Sequence, residues 1–521
     1  MDFNLNLKAL LWRMEELYKE KEIVSRTFEG RERYTYGQLT SEVRKLANML
    51  RGEGEVVGSM AWNTRRHLEM YLAVPLLGKV LHTINVRFHP REVDYVVETA
   101  GDTVLFYDQD LEGTISSLST KVRKVALDER WDNQVDSWDE LNTLPDVEER
   151  RGAILCFTSG TTGRPKGVVY SHRSIFIHSL ALLAGDVMGI TSKDVVMPAV
   201  PMFHISAWDV PFASLMTGAK LVLPGPRPGP KELADLIQEE KVTMAVGAPT
   251  VWISFLDYVK RERVDLSSLK LIVTGGAEPP VSLLKGFREL GVKTYHAWGM
   301  TETEAITTIN SSQEPEEFRK QGAPMPGVEF DVISPPGSSL PWDGRTSGEL
   351  VVRGAWVTGG YFKDEAKSKE STIHNLEGLW FRTGDVVTID ARGNVKVVDR
   401  YARGNVKVVD RYKDLIKSGG EWISSVDLEN AIMEYEPILE AVVVGVPDEK
   451  WGERPVALVV PKAEFRGKLK EDDVKRHLES LNRFPKWWIP DRVIFVDAIP
   501  KTSTGKMDKK EIRASINRLR E

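Results

Sequence analysis

The residues best suited to chemistry lie in the segment FTSGTTGRPKGVVYSH, at 157–172. Hydroxyl-bearing residues and glycines run ahead of a lysine there: Thr158, Ser159, Gly160, Thr161, Thr162, Gly163 and Lys166. Small residues let backbone N–H groups approach phosphate oxygens, while hydroxyls add donors and the lysine adds positive charge. Because the apolar run AILCF at 153–157 comes directly before, the sequence predicts a buried strand that leads into a phosphate-binding loop.

Two common nucleotide-binding motifs do not fit the chain. The loop lacks the G-x-x-x-x-G-K-[ST] spacing of P-loop NTPases, which removes the main support for an ordinary ATPase or kinase. The segment GEGEVVG at 52–58 misses the dinucleotide-binding pattern G-x-G-x-x-G by one residue.

Composition narrows the class of protein. Seventy Lys and Arg against seventy-six Asp and Glu give a formal net charge of −6 over 521 residues, with both signs mixed along the chain. This balance argues against a dedicated nucleic-acid binder, which would usually be basic. Cys156 is the single cysteine, so no intramolecular disulfide can form, and we expect a buried, inert thiol.

Targeting and metal signals are absent from the sequence. The N-terminal residues lack the uninterrupted apolar core of a signal peptide, and no stretch has the apolar length that spans a bilayer. The sequence therefore predicts a cytoplasmic protein. None of the nine histidines has the spacing of a zinc-binding helix, so no transition metal is predicted.

The pattern of apolar residues predicts three regions. Strand-like and amphipathic helical runs alternate from about residue 40 to 310, which indicates α/β units around doubly wound parallel sheets. Short β runs with turn residues follow from about 320 to 411 and favour a small barrel. A compact mixed segment after 414 indicates a separate α+β domain. We expect domains at 1–411 and 412–521.

Four further motifs follow the loop along the chain. They are TGGAEPP at 274–280, YHAWGMTET at 295–303, WFRTGD at 380–385 and PKTSTGKMDKKEIR at 500–513. In this order and with these spacings, the five motifs resemble those of the adenylate-forming superfamily, which includes acyl-CoA synthetases, luciferases and peptide-synthetase adenylation domains. The resemblance covers nearly the whole chain. It implies a large domain of two doubly wound sheets with a distorted β-barrel, and a smaller, mobile C-terminal domain.

The resemblance also implies roles for individual residues. The catalytic set would be Lys506, Thr301, Glu302 and His204. ATP would be bound by the loop residues from Thr158 to Gly163 with Lys166, and by Gly276, Ala277, Trp298, Gly299, Asp385, Arg411 and Lys417. Of these, Gly276, Ala277 and Trp298 would contact adenine, and Asp385 would bind ribose. Mg²⁺ would be held by Glu302 and Thr161.

The implied chemistry explains these residue types. A carboxylate is a poor electrophile, so it is first joined to the α-phosphate of ATP, and pyrophosphate leaves. The thiol of coenzyme A then attacks the acyl adenylate, and AMP leaves. Negative charge gathers around the α-phosphate in the first step, where Mg²⁺, Lys166 and Lys506 would offset it.

The sequence indicates the acid substrate less specifically than it indicates the reaction. The segment VPMFHISAWDVPFASLM at 200–216 is bulky and mostly apolar, which suits a hydrocarbon tail. His204 and Trp208 would line the acyl pocket, and Trp208 either gates it or packs in the core. The closest resemblance is to medium- and long-chain fatty acyl-CoA synthetases. An aryl- or short-chain acid-CoA ligase and a catalytically inactive nucleotide-binding relative are the alternatives. Resemblance alone also suggests a homodimer.

An eleven-residue repeat lies at the domain boundary. Residues 391–401 recur unchanged as 402–412. In the superfamily an arginine that follows the ribose-binding aspartate marks the hinge. Counting forward from Asp385 selects Arg400, whereas counting backward from KDLIKSGGEW selects Arg411; we favour Arg411, because Lys413 then stands at the hinge position. The first copy would form either an extra strand or a looped-out hairpin. Because an odd-length insert reverses the faces of a strand, we expect it to loop out.

Overall fold

The computed structural model describes residues 3–158, 164–334, 337–376, 378–400, 415–418, 421–448, 451–502 and 507–518. The part before the phosphate loop begins with helix α1 and ends with strand β7. Its helices are α1 Leu7–Glu16, α2 Tyr36–Leu50, α3 Arg65–Leu76, α4 Pro90–Ala100, α5 Glu112–Ser116 and α6 Glu129–Asp136. Its strands are β1 Glu22–Arg26, β2 Arg31–Thr35, β3 Val56–Met60, β4 Val80–Thr83, β5 Val104–Asp108, β6 Arg123–Leu127 and β7 Gly152–Phe157.

The part after the loop repeats the α/β alternation. Its strands are β8 Gly167–Ser171, β9 Val195–Pro198, β10 Lys220–Leu223, β11 Met244–Gly247, β12 Leu271–Gly275, β13 Lys293–Trp298, β14 Thr308–Asn310 and β15 Ala323–Pro324. Its helices are α7 His172–Leu182, α8 Val210–Thr217, α9 Pro230–Glu240, α10 Pro249–Glu262, α11 Val281–Glu289 and α12 Pro315–Phe318.

These elements build the two large sheets that the alternation predicts. One sheet has the strand order β6-β5-β3-β4-β7-β8, and the other has the order β15-β14-β13-β12-β11-β9-β10-β1-β2. The inner neighbours are parallel, as βαβ crossovers require. The phosphate loop connects β7 to β8 on the first sheet, and strands β12 and β13 of the second sheet end in two of the other motifs, at 274–280 and 295–303. The predicted fold class is confirmed.

A third sheet follows, where the sequence predicts a small barrel. It contains β16 Val328–Ile333, β17 Gly348–Gly354, β18 Thr372–Leu376, β19 Gly378–Ile389 and β20 Val395–Arg400, with the short helix α13 Glu365–Glu370 between β17 and β18. Strand β19 is the longest of the five and pairs antiparallel with β17, β18 and β20.

Strand β20 belongs to the first copy of the repeat, so our prediction that this copy loops out is wrong. A tight turn joins it to β19: Asp390 N–H donates to the Asn394 carbonyl (3.1 Å), and Gly393, at φ +82°, donates to the Asp390 carbonyl (2.8 Å). Closing so short a loop costs little chain entropy, which favours the copy nearest to β19. The register places Arg400 opposite Asp385. The second copy and its Arg411 lie outside the described residues.

Because the two copies of the repeat are identical in sequence, the same substitution in each copy tests which copy forms strand β20. Val395 of the first copy is 0% exposed, and its backbone bonds to Gly322 and Gln321. Replacing it with serine should lower the free energy of unfolding by about 2 kcal/mol, because a buried isopropyl group is lost. Val406 is its twin in the second copy, and Val406→Ser should change stability by less than about 0.5 kcal/mol. Thermal melts of both variants measure the difference; equal losses would contradict the assignment.

The C-terminal unit, residues 415–518, has its own sheet and hydrophobic core. Its strands are β21 Leu415–Ser418, β22 Glu421–Ser424, β23 Ile438–Asp448, β24 Gly452–Pro461 and β25 Arg492–Phe495, and its helices are α14 Ser425–Met433, α15 Glu471–Ser480 and α16 Lys509–Arg518. This is the α+β arrangement that the sequence predicts. The proposed domain boundary at 411/412 falls outside the described residues.

One ion-pair chain links the C-terminal unit to the large sheets. Arg319 pairs through Nε with the Glu278 carboxylate (3.3 Å) and through Nη2 with Asp427 at the start of α14. Glu278 directly follows the predicted adenine-binding residues Gly276 and Ala277. Within the described ranges, no helix combines the length and hydropathy that crossing a bilayer requires.

Candidate active site

Two hydrogen bonds join the residues at the two ends of the phosphate loop. Thr158 donates its backbone N–H to the Lys166 carbonyl (2.9 Å), and Lys166 donates its backbone N–H to Thr158 Oγ1 (3.1 Å). Strands β7 and β8 hold the two ends as an antiparallel pair. Cys156, on β7, is buried, and burial raises the pKa of its thiol to about 11, which agrees with the predicted inert cysteine. Residues 159–163 lie outside the described part of the chain.

Glu302 and Lys166 meet at one aromatic side chain that the sequence did not single out. Tyr361 Oη donates to Glu302 Oε1 at 2.6 Å, and Lys166 Nζ lies over the Tyr361 ring, 5.2 Å from its centroid. Desolvation is the main cause that lowers the pKa of Lys166, and the nearby Lys367 adds to it. A cation–π contact of this kind holds an ammonium group in place while leaving it charged. Tyr361 thus contacts both the lysine predicted to bind phosphate and the glutamate predicted to hold Mg²⁺.

The backbone around Glu302 is anchored from two sides. Tyr170 Oη donates to the Thr301 carbonyl (2.8 Å), and the Thr358 N–H donates to the Glu302 carbonyl (2.9 Å). Thr301 and Glu302 are each only 7% exposed. The carboxylate is therefore held on a fixed backbone next to the phosphate loop, with oxygen ligands of the type that Mg²⁺ prefers.

Removing the Tyr361 hydroxyl tests this arrangement. A hydrogen bond to a charged group contributes about 1.5–3 kcal/mol, so Tyr361→Phe should lower kcat/KM for adenylation by roughly 10- to 100-fold. Tyr361→Leu also removes the ring beneath Lys166 and should lower kcat/KM for adenylation further. Pyrophosphate release measures the rate. If Tyr361→Phe matched the unchanged enzyme, the Glu302 contact would have no role in the reaction.

Trp298 and Asp385 form the second cluster of predicted residues. The Trp298 indole N–H donates to Asp385 Oδ2 at 2.8 Å, although 87 residues separate them. Asp385 is 1% exposed on β19, and Trp298 is 7% exposed at the end of β13. The contact joins the predicted adenine-stacking ring to the predicted ribose carboxylate. Gly276, at φ +88°, and Ala277 lie exposed after β12, where a nucleotide base can approach.

Gly299 has no room for a side chain. A Cβ there would lie 1.3 Å from the Ala305 carbonyl oxygen and 2.4 Å from its carbon. The Met300 carbonyl also accepts from the N–H groups of Thr303 and Ala305. The turn that presents Thr301 and Glu302 therefore folds back on Gly299, and only glycine permits so close an approach.

The acyl side of the site contains an unusual backbone. Five consecutive non-glycine residues, Ile205 to Asp209, have φ between 45° and 61°. Left-handed backbone costs roughly 1–2 kcal/mol per L-residue, so surrounding contacts must hold this left-handed turn. His204, directly before it, is partly exposed, and Trp208, within it, is 7% exposed. Both predicted acyl-pocket residues thus lie on or beside a strained segment.

Besides loop residues 159–163, four other predicted residues are described only in part or not at all. Arg411, Lys413 and Lys506 lie outside the described residues, and of Lys417 only the backbone, in β21, is described. Arg400 was not assigned to the site, yet the β19–β20 register puts its backbone opposite Asp385. Tyr361 was missed because its contact with Glu302 spans 59 residues of sequence, and GGYF gives no local signal for that contact.

Comparison with known proteins decides the family. The pattern of the AMP-binding enzyme family matches residues 12–362, and that of the AMP-binding enzyme C-terminal domain matches residues 427–506. The chain belongs to the AMP-binding enzyme family. The predicted adenylate-forming superfamily is thereby confirmed, and both matched stretches carry motifs quoted above.

Three relatives of this AMP-binding enzyme span nearly its full length. A long-chain-fatty-acid–CoA ligase from Thermus thermophilus is 40% identical over 98% of this chain and 96% of its own. A 3-methylmercaptopropionyl-CoA ligase from Ruegeria lacuscaerulensis is 39% identical over 98% and 97%. The structure of ATP-bound MatB from Rhodopseudomonas palustris superposes with a TM-score of 0.83, at 26% identity and full coverage of both chains.

Proposed function

We propose that this AMP-binding enzyme is an ATP-dependent fatty acid–CoA ligase. In the first step, a carboxylate oxygen bonds to the α-phosphorus of ATP, and the bond to the pyrophosphate oxygen breaks. In the second, the sulfur of coenzyme A bonds to the acyl carbon, the thiol proton is released, and the bond to AMP breaks. The observation that carries the proposal is the convergence of Lys166, Tyr361 and Glu302 beside the phosphate loop.

Each described residue has a role in this reaction. Lys166 neutralises phosphate charge, and Tyr361 fixes its position relative to Glu302. Trp298 offers a ring face to adenine, and its bond to Asp385 orients the carboxylate that would accept from ribose hydroxyls. Thr301 would contact phosphate from its anchored turn.

Magnesium fits the residues present. Glu302 supplies a buried carboxylate, and Thr161 would add a hydroxyl oxygen; hard oxygen ligands of this kind suit Mg²⁺. When bound, the ion would neutralise charge on the phosphates.

The remaining assignments complete the proposal. Loop residues 159–163, Gly276, Ala277, Gly299, Arg411 and Lys417 would contact ATP, Lys506 would close over the phosphates, and Lys413 would be the pivot between domains 1–411 and 412–521. We also propose a cytoplasmic homodimer, and light scattering of the purified protein tests the dimer.

The acyl chain is proposed to be of medium to long length. The buried apolar side chains between 200 and 216 include Val200, Met202, Phe203, Ile205, Ala207, Trp208, Val210, Phe212, Ala213, Leu215 and Met216. Such surroundings suit a hydrocarbon tail better than a charged one. The long-chain relative from Thermus thermophilus supports this choice, whereas the 3-methylmercaptopropionyl relative supports a shorter chain.

Mass spectrometry of the reaction products tests the proposal. Purified protein is incubated with MgATP, coenzyme A and acids from C2 to C18 together with aromatic acids, and acyl-AMP and acyl-CoA are followed together. We expect acyl-CoA formation to peak at one medium or long chain. A peak at an aryl or short-chain acid would favour that class of ligase instead. Nucleotide binding without pyrophosphate release would indicate an inactive relative.

A further inference from the structure

Three chain segments meet in a buried cluster of ionisable side chains that the proposed reaction does not use. His178 comes from α7, Asp209 ends the left-handed turn, and Glu304 follows the turn that carries Thr301 and Glu302. All three residues are 0% exposed. His178 Nδ1 lies 2.8 Å from Asp209 Oδ2, and its Nε2 lies 2.9 Å from the Ile306 carbonyl oxygen.

The hydrogen-bond partners of His178 determine which of its ring nitrogens carry hydrogen. A carbonyl oxygen can only accept, so Nε2 must carry hydrogen. Nδ1 faces a carboxyl oxygen, so either Nδ1 also carries hydrogen and faces a carboxylate, or Asp209 is protonated and donates to Nδ1. In both cases one proton holds the imidazole to Asp209. This proton bridges α7 and the left-handed turn.

The surroundings of Glu304 favour the neutral form of its carboxyl group. Burial raises the pKa of Glu304 well above its usual value, and the neighbouring Asp209 raises it further. Burial also raises the pKa of Asp209, against the opposing effect of His178. Charging both carboxyl groups would place two unsolvated negative charges side by side. Among the described residues, both Glu304 carboxyl oxygens and Asp209 Oδ1 are buried without a hydrogen-bond partner.

Asp209 belongs both to this cluster and to the left-handed turn that carries Trp208. Asp209 is the last of five left-handed residues, and Trp208 directly precedes it. Such a backbone persists only when its surroundings determine it. The Asp209 carboxyl group is bonded to His178, which in turn is fixed by the Ile306 carbonyl and by the Trp356 ring, 5.2 Å away.

We propose that His178, Asp209 and Glu304 form a latch of positioning residues that holds the left-handed turn and so determines which acyl chains the enzyme accepts. The latch acts through Trp208 and touches no reacting atom. This inference rests on the proposed fatty acid–CoA ligase function, in which Trp208 lines the acyl pocket.

Kinetics of Asp209→Ala and Asp209→Asn test the latch. We expect Asp209→Ala to raise the KM for the preferred acid at least tenfold and to shift the preferred chain length, while the KM for ATP changes less than twofold. The asparagine amide can donate an N–H to Nδ1 of a neutral His178, whose Nε2 keeps its hydrogen, so Asp209→Asn should recover much of the loss. Glu304→Gln, which stays neutral, should keep the chain-length profile of the unchanged enzyme.

A second buried pair in the same chain provides the matched control. His82 Nδ1 lies 2.8 Å from Asp102 Oδ2, and both side chains are 0% exposed. Asp102→Ala should lower stability as Asp209→Ala does, yet leave the chain-length profile unchanged.

The outcomes separate the latch from the proposed function. If the Asp209 and Asp102 variants lost stability alike and all kept the chain-length profile, the latch would be overturned while the ligase function stood. If Asp209→Ala did not fold, a changed chain-length profile in Glu304→Gln or in Asp102→Ala would overturn the latch. If the unchanged enzyme formed no acyl-CoA from any acid, both proposals would fail.

Discussion

Lys506→Ala should slow pyrophosphate release by about 10²- to 10³-fold, the loss typical of removing one preorganised electrostatic group. Transfer of the acyl group from supplied acyl-AMP to coenzyme A should change much less, by under about tenfold. The reason is that Lys506 would lie over the phosphates during adenylation and would be carried away by the pivot of the C-terminal domain before the thioester forms. Separate assays of the two half-reactions, each under single-turnover conditions, measure the difference.

A surface lysine of the same unit serves as the control. Lys475, on α15, pairs with Glu471 at 2.6 Å, and exposed pairs of this kind contribute little. Lys475→Ala removes the same charge from the C-terminal unit and should leave both half-reactions within about twofold. Equal slowing of both half-reactions by Lys506→Ala would show that this lysine does not act on the phosphates of ATP.

Gly299→Ala should abolish adenylation, with a loss of at least about 10²-fold, and lower the melting temperature by several degrees. The new Cβ would collide with the Ala305 carbonyl, so the turn that presents Thr301 and Glu302 must move. Displacements of this order at a reacting centre typically cost about 10²-fold in rate. Pyrophosphate release and a thermal melt together measure both effects.

An unobstructed glycine gives the comparison for this variant. Gly185 has nothing within 4 Å of an added Cβ and no positive φ. Gly185→Ala should therefore match the unchanged enzyme in both assays. If Gly299→Ala kept full activity, the close approach of the turn would not be needed for catalysis.

The sequence predicted those features that depend on residues close together along the chain. Apolar runs between turn residues predicted the parallel strands that end at the motifs, as β7 ends at Phe157 and β13 at Trp298. Contacts between distant residues were missed, since no local pattern reports them. Tyr361 and Glu302 are one example, and His178, Asp209 and Glu304 are another.

The repeat shows why a rule about strand faces failed. Our prediction assumed that one strand would pair continuously through both copies, so that an odd number of added residues would turn its side chains to the opposite face. In the structure the first copy pairs directly after the Asp390–Asn394 turn, and a register shift between Val386 and Val387 leaves Val398 unmatched. A bulge of this kind changes which residue faces which side, so parity along the chain no longer determines the pairing.

Under the proposed function, the Arg319 ion pairs would couple nucleotide binding to the orientation of the C-terminal unit. Arg319 touches Glu278, beside the predicted adenine-binding residues, and Asp427, on the C-terminal unit. If a bound nucleotide favours one position of Glu278, it changes the equilibrium between domain orientations by some factor. By linkage, the orientation that keeps the Asp427 contact must change nucleotide affinity by that same factor. The coupling free energy belongs to neither site alone, and a double-mutant cycle over Glu278 and Asp427 would measure it.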